Sequence, residues 1–416
     1  MRNLLLESLA KKSEYEKLLT PRFDLESQVT FQENKQIPLH RWFYYKEGYS
    51  PNLVTTLLKE YPPTANLPVL DPFCGTGTTL LASRDAGFPS VGTDILPLGV
   101  FVANTKLQTG YDTTKLADEC RKLLSVKFGT PTQKFPRIDF LDTHRAVGRY
   151  AREDLMFFRE RILAVEDEKI RNFMMLALIS IALQSSNLKR DGGVLKIKEK
   201  QHLPPVRHLL KQKLKHMQRD IEHIKEGPES RAEVADARAL PAEDNSFGAC
   251  ITSPPYLNYV DYTKLYALEL ALLVGDGGEL KSYRKKSLKS HVNAEAHEKN
   301  MPPLPLVTEV IEKSRNIPET KTHNPQVIEG YFTDMYRVLK EISRTLAPGA
   351  PASLVVGNAC LPNQTVDVDT ILAELAKNAG LKPEALLVAN ARWCDVHGIT
   401  KERPVRETIV VVRKPE

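Results

Sequence analysis

Short apolar runs bounded by glycine, proline and aspartate alternate along this chain with longer stretches of helical period. Residues 67–70 (LPVL) predict a strand, 78–86 a helix stopped by Gly87, and 90–93 a second strand closed by Asp94. Helical period then dominates 113–126, 152–165, 169–183 and 205–224, before a buried strand at 247–251 (FGACI). Further on, the pattern predicts a helix at 330–346 closed by Pro348-Gly349, a strand at 353–356, and a helix at 366–379 ending at Gly380. Residues 385–389 and 408–412 read as a closing antiparallel pair. Strands that alternate with helices in this way predict an α/β fold with a mostly parallel sheet and helices on both faces. The longest apolar run, FMMLALISIAL at 173–183, falls short of the about 20 residues that span a bilayer and is expected to be a buried helix. Residues 1–17 carry too many charges for a signal peptide and read as an amphipathic helix.

Between the first strand and helix lies DPFCGTG, residues 71–77. Gly75 and Gly77 allow a tight turn and let a ligand lie against main-chain N–H groups at a helix N-terminus. Asp94, at the end of the second strand, is placed to accept hydrogen bonds from ribose hydroxyls. Leu80 stands where a third glycine would complete a dinucleotide turn, and no Lys-Ser/Thr pair follows to hold phosphates. Asp71 would repel pyrophosphate but suits a ligand carrying an amine and a sulfonium. An adenosine ligand without phosphate, S-adenosylmethionine, satisfies these conditions.

The strand at 247–251 runs into Thr252-Ser253-Pro254-Pro255-Tyr256. DPFCGTG, then GTD at 92–94, then TSPPY resembles the amino-methylating (N4-cytosine/N6-adenine) DNA methyltransferases. HRWFYYKEGYSPNLV (40–54) resembles the segment that leads into the cofactor motif of that family, and ADAR (235–238) the place of its acidic residue near the adenine. Residues 331–350, 352–359 and 403–415 resemble its late helix, strand and closing hairpin. The resemblance implies a Rossmann-like class I methyltransferase, with Lys46, Asp71, Phe73, Gly75, Gly77, Asp94, Ile95, Asp236 and Ala237 around S-adenosylmethionine. It implies Ser253, Pro254, Pro255 and Tyr256 as the catalytic loop, no metal, double-stranded DNA as partner, and a cognate restriction endonuclease as a further companion.

The chemistry of these residue types supports that role. The lone pair of an exocyclic amine is delocalised into its ring, so a site must localise it and aim it at the methyl group. Ser253 Oγ and the Pro254 carbonyl can each accept an amine hydrogen, while two prolines fix two φ angles at low entropic cost. Tyr256 offers a face on which an extruded base can stack, for about 1–3 kcal/mol. Adenine N6 and cytosine N4 present the same amine; a serine at the head of the motif resembles the cytosine enzymes, and adenine stays open. An RNA methyltransferase acting on guanine N2 and a DNA-binding subunit without activity are the other readings. Cys250 reads as a small buried hydrophobe rather than the nucleophile of a cytosine-C5 enzyme. Asp261, Tyr262 and Glu269 have no assigned role, and Asp261 equally reads as a helix start.

The chain divides on this reading into a lead-in and cofactor half (1–104), a helical, partly basic insertion (105–228), the catalytic-motif half (229–273), a basic loop or lid (274–327) and a C-terminal part (328–416). Within the insertion, Lys189, Arg190, Lys196, Lys198 and Lys200 form a basic loop that can follow a phosphate backbone, with a solvated face as the plainer account. Hydrophobic content of 42% and charged content of 26% are ordinary and suggest neither disorder nor a fibrous fold. A net charge of +6 is permissive for nucleic acid. Cys74, Cys120, Cys250, Cys360 and Cys394 are widely spaced, which predicts reduced thiols, no zinc site and a cytoplasmic protein.

Overall fold

The computed structural model describes residues 14–275, 279–296, 301–315, 324–361, 364–394 and 403–416. The strands in chain order are β1 (Leu19–Pro21), β2 (Val69–Asp71), β3 (Ser90–Asp94), β4 (Leu188–Asp191), β5 (Val194–Ile197), β6 (Ser230–Val234), β7 (Ala249–Thr252), β8 (Pro351–Gly357), β9 (Ala359–Leu361), β10 (Gln364–Val366), β11 (Lys382–Cys394) and β12 (Arg403–Arg413). An 8-stranded sheet has the order β1-β11-β12-β8-β7-β2-β3-β6. Its pairings are parallel except where β12 inserts between β11 and β8. This is the Rossmann-like class I methyltransferase arrangement, with β11 and β12 as the closing antiparallel hairpin.

Successive strand residues face opposite layers. Val69, Ile251, Val355 and Val411 pack with Leu53 and Leu57 of the helix Pro51–Glu60 on one face. Their neighbours Leu70, Cys250, Leu354 and Val410 pack on the other face against the helices Pro325–Thr345 and Val368–Asn378. Burial on both faces explains why these strands are continuous apolar runs rather than alternating ones. The helix Pro51–Glu60 starts where it does because Ser50 accepts from Asn52 N and Pro51 occupies the first turn.

The insertion supplies helices Thr113–Ser125, Arg149–Leu163, Glu168–Ile181 and Val206–Asp220, which share a core with Trp42, Leu98 and Ala267–Val274. The apolar run at 173–183 is buried there, and no described helix is long and apolar enough to cross a membrane. Residues 1–13, most of the expected N-terminal helix, lie outside the described residues.

Three expectations need correction. The basic loop is a β-hairpin, β4 paired with β5 around Gly192-Gly193: Leu188 and Leu195 point inward and the lysines outward, a period-2 pattern hidden by the density of charge. The segment expected to be an aperiodic lid carries two helices, Glu279–Lys286 and Pro305–Arg315. Cys360 is disulfide-bonded, whereas Cys74, Cys120 and Cys250 are free and buried. Spacing along the chain held no sign of the bond, because the cysteines are far apart in sequence and form no paired motif.

Candidate active site

The strand order reverses between β2 and β7, and open α/β sheets bind ligands at the carboxyl ends of the strands flanking such a switch. A cavity of about 380 Å³ opens there. Asp71 ends β2, Asp94 ends β3, Asp236 follows β6 and Ser253 follows β7, so the fold gathers on one rim residues spread over the chain.

The glycine turn is held from several sides. Gly75 and Gly77 have φ of 47° and 80°, a region costly for other residues. A Cβ on Gly75 would come within 3.1 Å of the Tyr45 ring, which itself stacks on Tyr266 at 4.9 Å. A Cβ on Gly77 would lie 2.8 Å from that of Ala103 in the helix Pro97–Leu107. Gly75 borders the cavity, whereas Gly77 stands behind it and packs helix on helix against Ala103.

Asp71 is buried and accepts from Thr79 Oγ1 (2.6 Å), Thr252 Oγ1 (2.7 Å), Phe73 N (3.1 Å) and Tyr49 OH (3.3 Å). Its carboxylate thereby ties β2, the helix Thr78–Asp85 and β7 together, while burial pushes its pKa up to about 6 against the opposing pull of these bonds. Asp94 accepts from Gly75 N (3.0 Å) and Leu96 N (2.8 Å), one bond per oxygen, and each oxygen keeps a lone pair. Burial raises it to about 6 as well. Phe73, Ile95 and Ala237 give the cavity apolar wall, and Asp236 at its edge bonds Arg238, which also bridges to Asp334 at 2.9 Å. Lys46 borders the cavity and donates to the Gly192 carbonyl at the tip of the β4–β5 hairpin.

Ser253, Pro254, Pro255 and Tyr256 all line the same cavity. Ser253 Oγ donates to the Val355 carbonyl of β8 at 3.1 Å and also lies in side-chain hydrogen-bonding contact with Tyr256, which leaves its oxygen a lone pair as acceptor. Tyr256 OH donates to Glu407 Oε1 at 3.1 Å. Its ring fits against Gly357, where a Cβ would lie 2.9 Å from Cε2. Cys250 is buried and its thiol is pushed well up by burial, which leaves no thiolate for attack on a ring carbon. Asp261 caps the helix Tyr262–Leu265 by accepting from Lys264 N, and Glu269 pairs with Arg190.

The basic residues separate. Lys189, Lys196 and Lys198 are exposed on the outer side of the hairpin, Lys196 bonded to Asp191 at 2.9 Å. Arg190 points inward, bonds Glu269 at 2.5 Å and lies 4.1 Å over the Tyr266 ring, so it braces the hairpin instead of facing a phosphate. Lys200 Nζ donates to the carbonyls of Leu183 and Ser186. The hairpin tip meets the loop after the Pro-Pro turn, Gly193 lying against Val260. The second basic segment walls the cavity with Lys286, Ser287, Leu288, Ser290 and His291.

Sequence reading passed over Glu407, Glu47 and residues 29–32, all of which border the cavity. Their roles depend on strand register and on a lead-in that folds back from the N-terminal side. A lone carboxylate at the head of an apolar strand, RETIVVV, was the one available sign of Glu407.

No family model matches the chain. It is similar to the type II methyltransferase M.BsoBI of Geobacillus stearothermophilus, 28% identical over 413 residues that cover 85% of this chain and 81% of the relative. The type II methyltransferase M.AvaI of Anabaena variabilis is 27% identical over 436 residues, covering 93% and 89%. A methyltransferase structure from Methanosarcina mazei aligns over 86% of this chain and 97% of its own at 11% identity and a TM-score of 0.30, too loose a likeness to carry an argument. S-adenosylmethionine is the cofactor that this fold and these residues fit: a cradle at Gly75 that a Cβ would fill, carboxylate oxygens with free lone pairs at Asp94, and an apolar wall at Phe73 and Ile95.

Proposed function

We propose that this protein is a DNA methyltransferase of a type II modification system that methylates the exocyclic amine of an extruded base, cytosine N4. The observation that carries the reading is Ser253, whose hydrogen is spent on Val355 and which therefore meets the cavity as an acceptor beside the Pro254 carbonyl. Bound S-adenosylmethionine supplies a methyl group on a sulfonium, ready for direct displacement. The protein's share is to hold an amine hydrogen on Ser253 Oγ and another on the Pro254 carbonyl, which turns the nitrogen lone pair out of the base plane. Asp94 is proposed to hold the ribose hydroxyls, Asp236 the adenine amine, and Lys46 the methionine carboxylate.

The type II methyltransferases to which the chain is similar support DNA as the substrate. So does the hairpin β4–β5, where Lys189 and Lys196 stand directly opposite each other. Facing like charges destabilise a strand pair, a cost that Asp191 offsets at Lys196 and that an anionic partner would offset at Lys189. A two-stranded ribbon also fits the major groove of B-DNA. Adenine N6 presents its amine to the same two acceptors and is the second reading. Incubating the protein with duplex DNA and labelled S-adenosylmethionine, followed by nucleoside mass spectrometry, tests the proposal. N4-methylcytosine is expected; N6-methyladenine alone would move the target to adenine and leave the mechanism, and label found only in RNA would overturn the reading.

A further inference from the structure

An amine that gains a methyl group must lose a proton, and Ser253 cannot receive it: its oxygen is neutral and its own hydrogen is fixed on Val355 O. The cavity has other carboxylates, and most are engaged. Asp71 is held by Thr79, Thr252, Phe73 N and Tyr49. Asp94 holds the glycine turn, Asp236 pairs with Arg238, and Glu47 accepts from Tyr266 OH.

Glu407 differs. It projects from β12 where that strand pairs with Gly357 of β8, which brings it beside the Pro-Pro loop. Its Oε1 accepts from Tyr256 OH at 3.1 Å, and its Oε2 makes no hydrogen bond among the described residues. No described lysine or arginine is ion-paired with it. A carboxylate held by one phenol, on the wall of the pocket that meets the amine, is a base with an open lone pair.

We propose that Glu407 is a catalytic residue, the proton acceptor for the methylated amine; this rests on the amine-methylating reading given above. The amine nitrogen forms its bond to the methyl carbon as the sulfur–carbon bond breaks, and the electron pair of that bond stays on sulfur. The nitrogen–hydrogen bond then breaks, its electron pair stays on nitrogen, and the proton bonds Glu407 Oε2. A sulfonium and a carboxylate enter the step, while a thioether and a carboxylic acid leave it, so opposite charges vanish together. With no carboxylate present the product would be a buried cation, which a low-dielectric site disfavours. Tyr256 is a positioning residue for Glu407 in this scheme, and Gly357 leaves room for its ring.

Burial also raises the Glu407 pKa above its ordinary value, with Tyr256 and the more distant Arg392 acting against it. Protonation of Glu407 from solvent therefore removes the acceptor as pH falls, and sets an acid limb on the rate of transfer. The groups facing Glu407 among the described residues are the Tyr256 phenol from the loop after β7 and Arg392 from β11. The phenol is pushed further up by burial, so it does not titrate near neutrality. Burial raises Asp71 and Asp94 to about 6, and their effect is read separately through cofactor binding.

The test is single-turnover transfer to duplex DNA, at saturating S-adenosylmethionine and excess enzyme, across pH 5 to 9 for the parent, Glu407→Gln and Glu407→Asp. General-base catalysis is worth about 100-fold or more, so Glu407→Gln should transfer at least about 100-fold more slowly and lose the acid limb, while Glu407→Asp keeps a limb. Calorimetric binding of S-adenosylhomocysteine should be the same in all three, which shows that the fold and the cofactor site survive. Glu407→Gln within threefold of the parent, with the limb in place, overturns this inference alone. A parent that labels no DNA overturns the underlying reading along with it.

Discussion

Replacing each glycine of the cofactor turn by alanine should separate two roles that look alike in sequence. In Gly77→Ala the new methyl would sit 2.8 Å from the Ala103 methyl, and Ala103 is fully buried in a helix that cannot yield without moving. The backbone at φ 80° adds left-handed strain of about 1–2 kcal/mol to an overpacking cost of about 1–3 kcal/mol. A loss of about 2–5 kcal/mol follows, or roughly 2–6 °C in melting temperature for a chain of 416 residues. Gly75→Ala meets only the edge of the Tyr45 ring at 3.1 Å, but on the cavity wall. Its stability cost should stay near the strain of about 1–2 kcal/mol, whereas cofactor affinity should drop about tenfold or more. Urea titration and calorimetry with S-adenosylmethionine read the two quantities on both variants. If Gly77→Ala lost cofactor affinity yet melted with the parent, the assignment of Gly77 to packing would be wrong.

Three further outcomes are expected. In its proposed role at the ribose Asp94 must be ionised, and burial places its pKa at about 6, so S-adenosylmethionine affinity should be steady above pH 7 and weaken as pH falls through 6, by up to about tenfold per unit; calorimetry from pH 5 to 8 checks this, and Asp94→Asn should bind weakly and keep only the part of that dependence due to Asp71. Arg190→Ala leaves Glu269 buried and unpaired, so it should cost about 3–5 kcal/mol by urea denaturation, while Lys189, Lys196 and Lys198 changed together to alanine should leave stability near the parent and flatten the dependence of DNA affinity on salt by about 0.9 for each phosphate no longer neutralised.

Local signals were legible in the sequence and register was not. The strand, turn, helix and strand from Val69 to Asp94 follow from neighbouring residues alone, because Gly75, Gly77 and Gly87 fix the turns and the apolar runs fix the strands. The Ser253 loop was legible for the same reason. The positions of Arg190 and Glu407 depend on partners 79 residues away at Glu269 and 151 away at Tyr256, and nothing local announces which face of a strand will turn inward. The hairpin β4–β5 did carry a sign, Gly-Gly between alternating apolar positions, but its lysines masked the period. The disulfide of Cys360 likewise left no mark in cysteine spacing.

The Asp71 carboxylate joins the two halves of the site through a single group, Thr79 on the cofactor helix at one oxygen and Thr252 of β7 at the other. A protein built this way cannot change one half in isolation. Substitutions at Thr252, buried beneath Ser253, would release an oxygen of Asp71 and so disturb the glycine turn that Asp71 also holds through Phe73 N. Under the proposed function, mutational paths to a new target base run through cavity residues that do not hold that carboxylate, Tyr256 and Asn258 among them. Laboratory evolution of this chain should find its altered variants there, and lose cofactor affinity whenever it strays upstream.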